Sequence, residues 1–206
     1  MSINNTIAKQ VAGAVRAIAQ AGSASLGADC IWHAMACLHL LEQEGISDAH
    51  LVAGHAAWRV HGKAPSAVVC HHADMNGVIL DPSSGNVLFH AWVAHGDQMF
   101  DATTYQLREK LAGLDAFDGG RTPVTWCPDY LLVTRRECRS WPSVRDGFRH
   151  GLFCYDPVPA LTARVLAHPD SHLEQYAIGL LDPAYQALKR GERLMVHGPC
   201  GSGAVA

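Results

Sequence analysis

Charge is scarce in this chain of 206 residues: Asp, Glu, Lys and Arg together make up 17%, and they nearly cancel to a formal net charge of −3. No basic run interleaves with aromatics. A surface that holds a phosphate backbone or an anionic membrane needs clustered Lys and Arg, so neither nucleic acid nor a membrane is expected as a partner. No apolar stretch approaches the roughly 18 residues of a membrane span. The opening Met1-Ser2-Ile3-Asn4-Asn5-Thr6 lacks the charged-then-apolar order of a signal peptide, which suggests a cytoplasmic protein. The cysteines lack pairing signals as well. There are seven, at 30, 37, 70, 127, 138, 154 and 200, an odd number without a CxxC, which argues against a disulfide framework or a thiolate zinc site. The Gly-rich tail Gly198-Pro199-Cys200-Gly201-Ser202-Gly203 lacks the Lys-Ser/Thr of a phosphate loop and reads as a flexible end. What is present is apolar: 49% of the chain, with five each of Trp, Tyr and Phe, enough for one globular domain over 1–206.

Apolar residues at 7, 11, 15 and 18 predict an amphipathic helix over about 6–21, capped by Thr6 and closed by Gly22. A second helix begins at Asp29-Cys30 and continues through Ala34, Leu38 and Leu41 until Gly45 stops it. Apolar, β-rich runs follow at 49–54, 56–60, 66–71, 77–80, 87–95 and 98–103, separated by turn formers, which is an antiparallel signature. A short helix over 104–111, strands at 123–126 and 130–133, and a helix over 173–188 with a possible break at Pro183 complete the reading. The fold class is therefore α+β.

Chemistry concentrates in three places. Cys30 opens a helix, where unpaired N–H groups and the dipole favour thiolate over thiol; Asp29 before it is a candidate N-cap whose charge opposes that effect. In Phe89-His90-Ala91-Trp92-Val93-Ala94-His95-Gly96-Asp97-Gln98-Met99-Phe100-Asp101-Ala102-Thr103, the Gly96-Asp97 pair suits a tight hairpin turn. If His95 pairs with Gln98, Asp101 becomes the diagonal neighbour of His90 on one sheet face, near enough for its carboxylate to accept a hydrogen bond from the imidazole. His95 then points to the opposite face. Taken singly, Cys30 could be a small buried hydrophobe, His90 a core histidine and Asp101 a turn residue; together they form a nucleophile, a base and its orienting acid.

Cys30-x-x-x-Ala34 with Leu38, Leu41, Gly45-Ile46, Ala49, Val52 and Gly54, then His90-Ala91-Trp92-Val93 and Asp101-x-Thr103, resembles the transglutaminase-like branch of the papain-like thiol enzymes. The likeness covers about 27–104. It implies that the helix carrying Cys30 packs on an antiparallel sheet, in a papain-like/transglutaminase-like core. It further implies Cys30 as nucleophile, His90 as general base and acid, Asp101 as its orienter and Trp92 as a substrate-binding wall. The family includes bacterial peptidases, amidases, leader peptidases of lasso-peptide maturation and members of unknown function. The chain departs from the pattern at Ser47-Asp48, where a single Pro is usual, at His50 for Arg and at Ala94 for an acidic residue. No Gln upstream of Cys30 offers itself as a second oxyanion donor.

The expected function is thus thiol-dependent acyl transfer on a peptide or small amide, as a hydrolase or a transferase, with no cofactor. Loops at 61–66, 81–86 and 115–122 are candidates for the substrate pocket. Two other readings compete. One is a catalytically silent binding module of the same fold, against which the intact Cys, His and Asp set argues. The other is a metal-binding protein using His71, His72 and Asp74 with His90 or His95, although adjacent histidines on a strand face opposite ways. Cys37, two turns past Cys30, reads as core, and Trp58, Trp126 and Trp141 as core or pocket-wall aromatics. His33 and His39 could approach the site, but nothing in the sequence orients them.

Overall fold

Two of the expected strands are one: β1 runs unbroken from His50 to Arg59 in the computed structural model, which describes residues 2–23, 28–62, 67–71, 89–168 and 171–205. The expected strand at 77–80, the loop at 81–86, and His72 and Asp74 lie outside the described residues. β1 is central to the sheet. Along one edge it pairs first with β3 (His90–His95), through Leu51↔Val93 and Gly54↔His90, and then with β2 (Val68–His71), through Ala56↔His71. Its other edge takes β6 (Leu152–Pro157) from Gly54↔Pro157 to Arg59↔Leu152. β4 (Gln98–Asp101) pairs with β3, and β5 (Leu131–Thr134) pairs with β4, all antiparallel. Gly54 is required where these strands meet, because a Cβ there would lie 2.1 Å from the Asp156 carbonyl oxygen.

Successive residues divide between two apolar layers, as a pleated strand requires. Leu51, Ala53, Ala91, Val93 and Phe100 pack with α1 (Asn5–Gly22), α2 (Cys30–Gln43) and α6 (Gln175–Lys189). Val52, Trp58, Trp92, Ala94, Met99 and Tyr155 form the opposite layer with Leu107 and Leu111 of α3 (Leu107–Asp118). The hairpin register is His95↔Gln98 and Val93↔Phe100, with Gly96 at φ +56° in the turn, so His90, Trp92 and Asp101 belong to this second face. The architecture is a mixed α+β fold with helices on a curled antiparallel sheet. Among the described residues no helix is long and apolar enough to cross a membrane.

Several local expectations change. The cap of α1 is Asn4, whose side chain accepts from the Ile7 N–H, rather than Thr6. Residues 123–126 form no strand: the Thr125 and Trp126 N–H groups both donate to the Val60 carbonyl, a single anchor in place of a ladder. The 104–111 helix is a 3-10 turn (Thr104–Gln106) that runs on into α3, so 115–118 is helical rather than loop. Pro183 sits inside an unbroken α6. The Gly-rich tail is ordered as a hairpin of β7 (Leu194–Gly198) and β8 (Gly201–Val205) against α1. Its glycines permit that approach, since a Cβ on Gly203 would lie 2.1 Å from the Ala17 carbonyl oxygen, and the Cys200 N–H donates to Ala21 at 3.0 Å. α4 (Trp141–Arg145), α5 (Pro159–Leu166) and β6 were not anticipated.

Candidate active site

Cys30 is the first residue of α2, with only 6% of its surface exposed. At that position the backbone N–H groups of the first turn have no intrahelical acceptor, and their partial positive charge points at the thiol. The sulfur meets the sheet at the start of β3, where it interacts with the Ala91 N–H and the His90 ring. Asp29 precedes the helix but makes no side-chain capping bond; its Oδ1 accepts from Gln106 Nε2 at 3.1 Å instead.

His90 is fully buried, and its Nε2 lies 2.9 Å from Asp101 Oδ2. Asp101 is saturated with donors. Oδ1 accepts from the Thr103 N–H and hydroxyl, each at 2.8 Å, and Oδ2 accepts from the Tyr155 hydroxyl at 2.6 Å as well as from His90. Tyr155 in turn accepts from Trp58 Nε1 at 2.8 Å. With four donors on a buried carboxylate, its charge is fixed, and the His90 proton is held on Nε2. Nδ1 is buried with no nitrogen or oxygen partner, leaving its lone pair for the thiol. Trp58 meets the ring edge-on at 4.8 Å, and Trp92 stacks on it at 6.2 Å.

The electrostatics follow this geometry. Burial alone would raise the Cys30 thiol, but the hydrogen bond and charge of His90, the Lys110 ammonium and the Ala91 N–H outweigh it, leaving the thiol below its ordinary value. Burial alone would lower His90, yet the charge and hydrogen bond of Asp101, with Cys30, leave it raised. Asp101 is held well below the carboxylate range, with His90 and Tyr155 overcoming its desolvation. Other buried thiols show what the site changes. Burial pushes Cys37 far up, and Cys154 to about 12.

The expected residues separate clearly. Cys30, His90 and Asp101 come together. Trp92 is 1% exposed and lies behind the imidazole, where it supports the ring. His95 is on the other face, 2.9 Å from Asp48 Oδ1. Cys37 is core. His33 and His39 do have orienting partners, contrary to expectation. His33 Nδ1 donates to the Asp29 carbonyl at 3.0 Å, and its Nε2 accepts from the Tyr105 hydroxyl at 3.0 Å, while His39 contacts Asp182 at 2.6 Å. The side-chain partners, Tyr105 and Asp182, are 72 and 143 residues away from the histidines they hold, which no local pattern reveals. His71 is committed to the Phe89 carbonyl at 3.0 Å, and among the described residues no group of three His, Cys, Asp or Glu could hold a metal ion. Tyr155 and Lys110 were missed. Tyr155 belongs to the apolar run Leu152-Phe153-Cys154-Tyr155, a strand signal that could have drawn attention to it.

No family model matches the chain, and no curated protein matches it. A solved structure, the crystal structure of genomics APC5867, is similar, with a TM-score of 0.57 at 19% identity, covering 99% of this chain and 93% of that one. At that identity the likeness shows a shared fold and nothing about activity.

Proposed function

We propose that the chain is a cysteine acyl-transfer enzyme with a papain-like/transglutaminase-like core, acting on a peptide or small amide through Cys30, His90 and Asp101. The observation that carries this reading is the His90 ring, whose Nε2 is bound by a saturated Asp101 and whose unpaired Nδ1 is left to the thiol. His90 Nδ1 takes the Cys30 proton, and the thiolate attacks the carbonyl carbon. The helix N-terminus, including the Cys30 N–H, favours the oxyanion. Collapse breaks the carbon–nitrogen bond as His90 returns the proton to the leaving amine, giving a thioester. Water or an amine, deprotonated by His90, then attacks the thioester and releases the thiol. Throughout, Asp101 keeps the imidazole in one tautomer and stabilises its cation.

The test is iodoacetamide alkylation of each thiol as a function of pH, read by peptide mass spectrometry, in wild type and His90→Ala. Cys30 alone is expected to react rapidly below the ordinary thiol value of about 8.5. Removal of His90 is expected to slow it at pH 6 by about a hundredfold. If Cys30 titrates like the other thiols in both proteins, activated-thiol chemistry is excluded and a binding module of the same fold becomes the better description.

A further inference from the structure

One buried charge beside the site makes no hydrogen bond in this mechanism, although it helps to lower the Cys30 thiol. Lys110 lies in the first turns of α3, the helix that follows the Asp101–Thr103 turn and the 3-10 turn. Its Nζ is buried, and it has no hydrogen-bond partner among the described residues. An ammonium carries three donors and is strongly hydrated in water, so burying it with none of them used is costly unless something is meant to meet it. Trp58 fixes where it sits. Lys110 Nζ lies 5.3 Å from the Trp58 ring centroid, and the same ring meets His90 edge-on at 4.8 Å. Ammonium and imidazole therefore share one aromatic partner. The neighbouring carboxylates leave the ammonium unsatisfied: both oxygens of Asp101 are occupied by four donors, Asp29 Oδ1 is taken by Gln106, and Asp29 Oδ2, itself unpartnered, is out of hydrogen-bond reach of Nζ. Lys110 is close enough for its charge to act on Cys30, Asp101 and Asp29.

We propose that Lys110 is the anion-recognising group of the site, its ammonium pairing with a carboxylate on the substrate close to the carbonyl that Cys30 attacks. This rests on the acyl-transfer reading and narrows its substrate class to amides that bear a free carboxylate near the scissile bond. A carboxylate supplies two acceptors for an ammonium in a water-poor setting, where charge-assisted hydrogen bonds are strongest. A neutral amide would leave the cation buried and unpaired, so the site would discriminate against it.

Iodoacetate and iodoacetamide make the test, because both alkylate through the same bond change. The Cys30 sulfur bonds to the methylene carbon as iodide leaves, and the reagents differ only in carboxylate against amide. The readout is the ratio of their rates at Cys30 at pH 6.5, in wild type and in Lys110→Met, which keeps an unbranched stem of similar length. The His90–Asp101 pair is common to both proteins. The ratio of iodoacetate to iodoacetamide is expected to fall about tenfold in the variant, the effect of losing one charge-assisted hydrogen bond. If both rates fall by the same factor, Lys110 only tunes the thiol and the proposal is wrong; an unchanged ratio with unchanged rates overturns it equally. A wild-type Cys30 that reacts with neither reagent removes the acyl-transfer reading itself, and this inference with it. Wild type alone provides a second measurement that needs no folded variant. Succinate is expected to slow iodoacetamide alkylation of Cys30 saturably while succinamide does not, and equal behaviour of the two overturns the proposal.

Discussion

Two buried clusters flank the start of α2, each built from a carboxylate, a histidine and a tyrosine, and their histidines are shifted in opposite directions. In the sheet cluster, the Asp101 carboxylate accepts four hydrogen bonds and the imidazole of His90 is raised toward its cation. In the helix cluster, His33 donates to a backbone carbonyl and accepts from Tyr105, while Asp29 Oδ2 is buried with no partner. Burial wins there, and His33 is lowered. Residue type therefore does not decide the role. What decides it is whether the acid hydrogen-bonds the ring and is saturated by other donors: Asp29 Oδ1 lies 3.4 Å from His33 Nδ1, but the Nδ1 proton goes to the Asp29 carbonyl. In the proposed reaction the sheet cluster lends and reclaims a proton, whereas the helix cluster ties α2 to the 3-10 turn that leads into α3.

The strongest way to break this contrast is to remove the saturated acid. Asp101→Ala leaves the Thr103 and Tyr155 donors unpaired and strips His90 of its counter-charge, and is expected to cost roughly 3–5 kcal/mol of stability in urea unfolding. In whatever folded fraction remains, Cys30 alkylation should move to higher pH, because the main group that holds the imidazole raised is gone. Asp29→Ala removes the acceptor of one Gln106 hydrogen bond and should cost far less. Equal losses from the two would show that saturation is not what separates the clusters.

Acid sharpens the comparison next. His71, edge-on to His90 at 5.6 Å, is lowered by burial to about 3, so it stays neutral in the fold while the unfolded chain takes up a proton near 6.5. Its contribution is fully present above pH 6.5 and is lost as pH falls toward 3; His33 has the same sign. His90 is raised and works the other way, its contribution full below the unfolded value and lost as pH climbs through the folded one. Between pH 7.5 and pH 5 the wild type should therefore lose stability, with about 2 kcal/mol of the loss coming from His71. His71→Gln should unfold with a visibly flatter pH dependence, measured as the urea midpoint at the two pH values. An unchanged slope would mean that His71 is not held neutral.

The contrast also explains what the sequence could reveal. A two-residue turn at Gly96 sets the hairpin register, and register with pleat parity brings Asp101 to His90, so that pair was legible from spacing alone. Cys30 was legible because a helix start is marked by local pattern. Tyr155 and Lys110 were not: one arrives on a strand 54 residues after Asp101, and the other is a lysine in a helix of otherwise ordinary composition. His33 is the clearest case, because its partner Tyr105 is brought by the chain returning across α2. The tail misled for a physical reason. Glycine reads as freedom, yet Gly203 is small where β8 presses on Ala17, and absence of a side chain there permits contact.

The smallest expected effect is the one that isolates the helix cluster. Tyr105→Phe keeps the ring, which tilts against His33 at 5.8 Å, and removes only the hydroxyl that donates to His33 Nε2 and accepts from Gln106. The loss of those bonds should cost about 1 kcal/mol in urea unfolding. The Cys30 alkylation profile should not move, since His33 exchanges no proton with the thiol and the His90–Asp101 pair is untouched. A shift of that profile toward higher pH would join the two clusters into one network, with the helix cluster acting on Cys30 through Asp29.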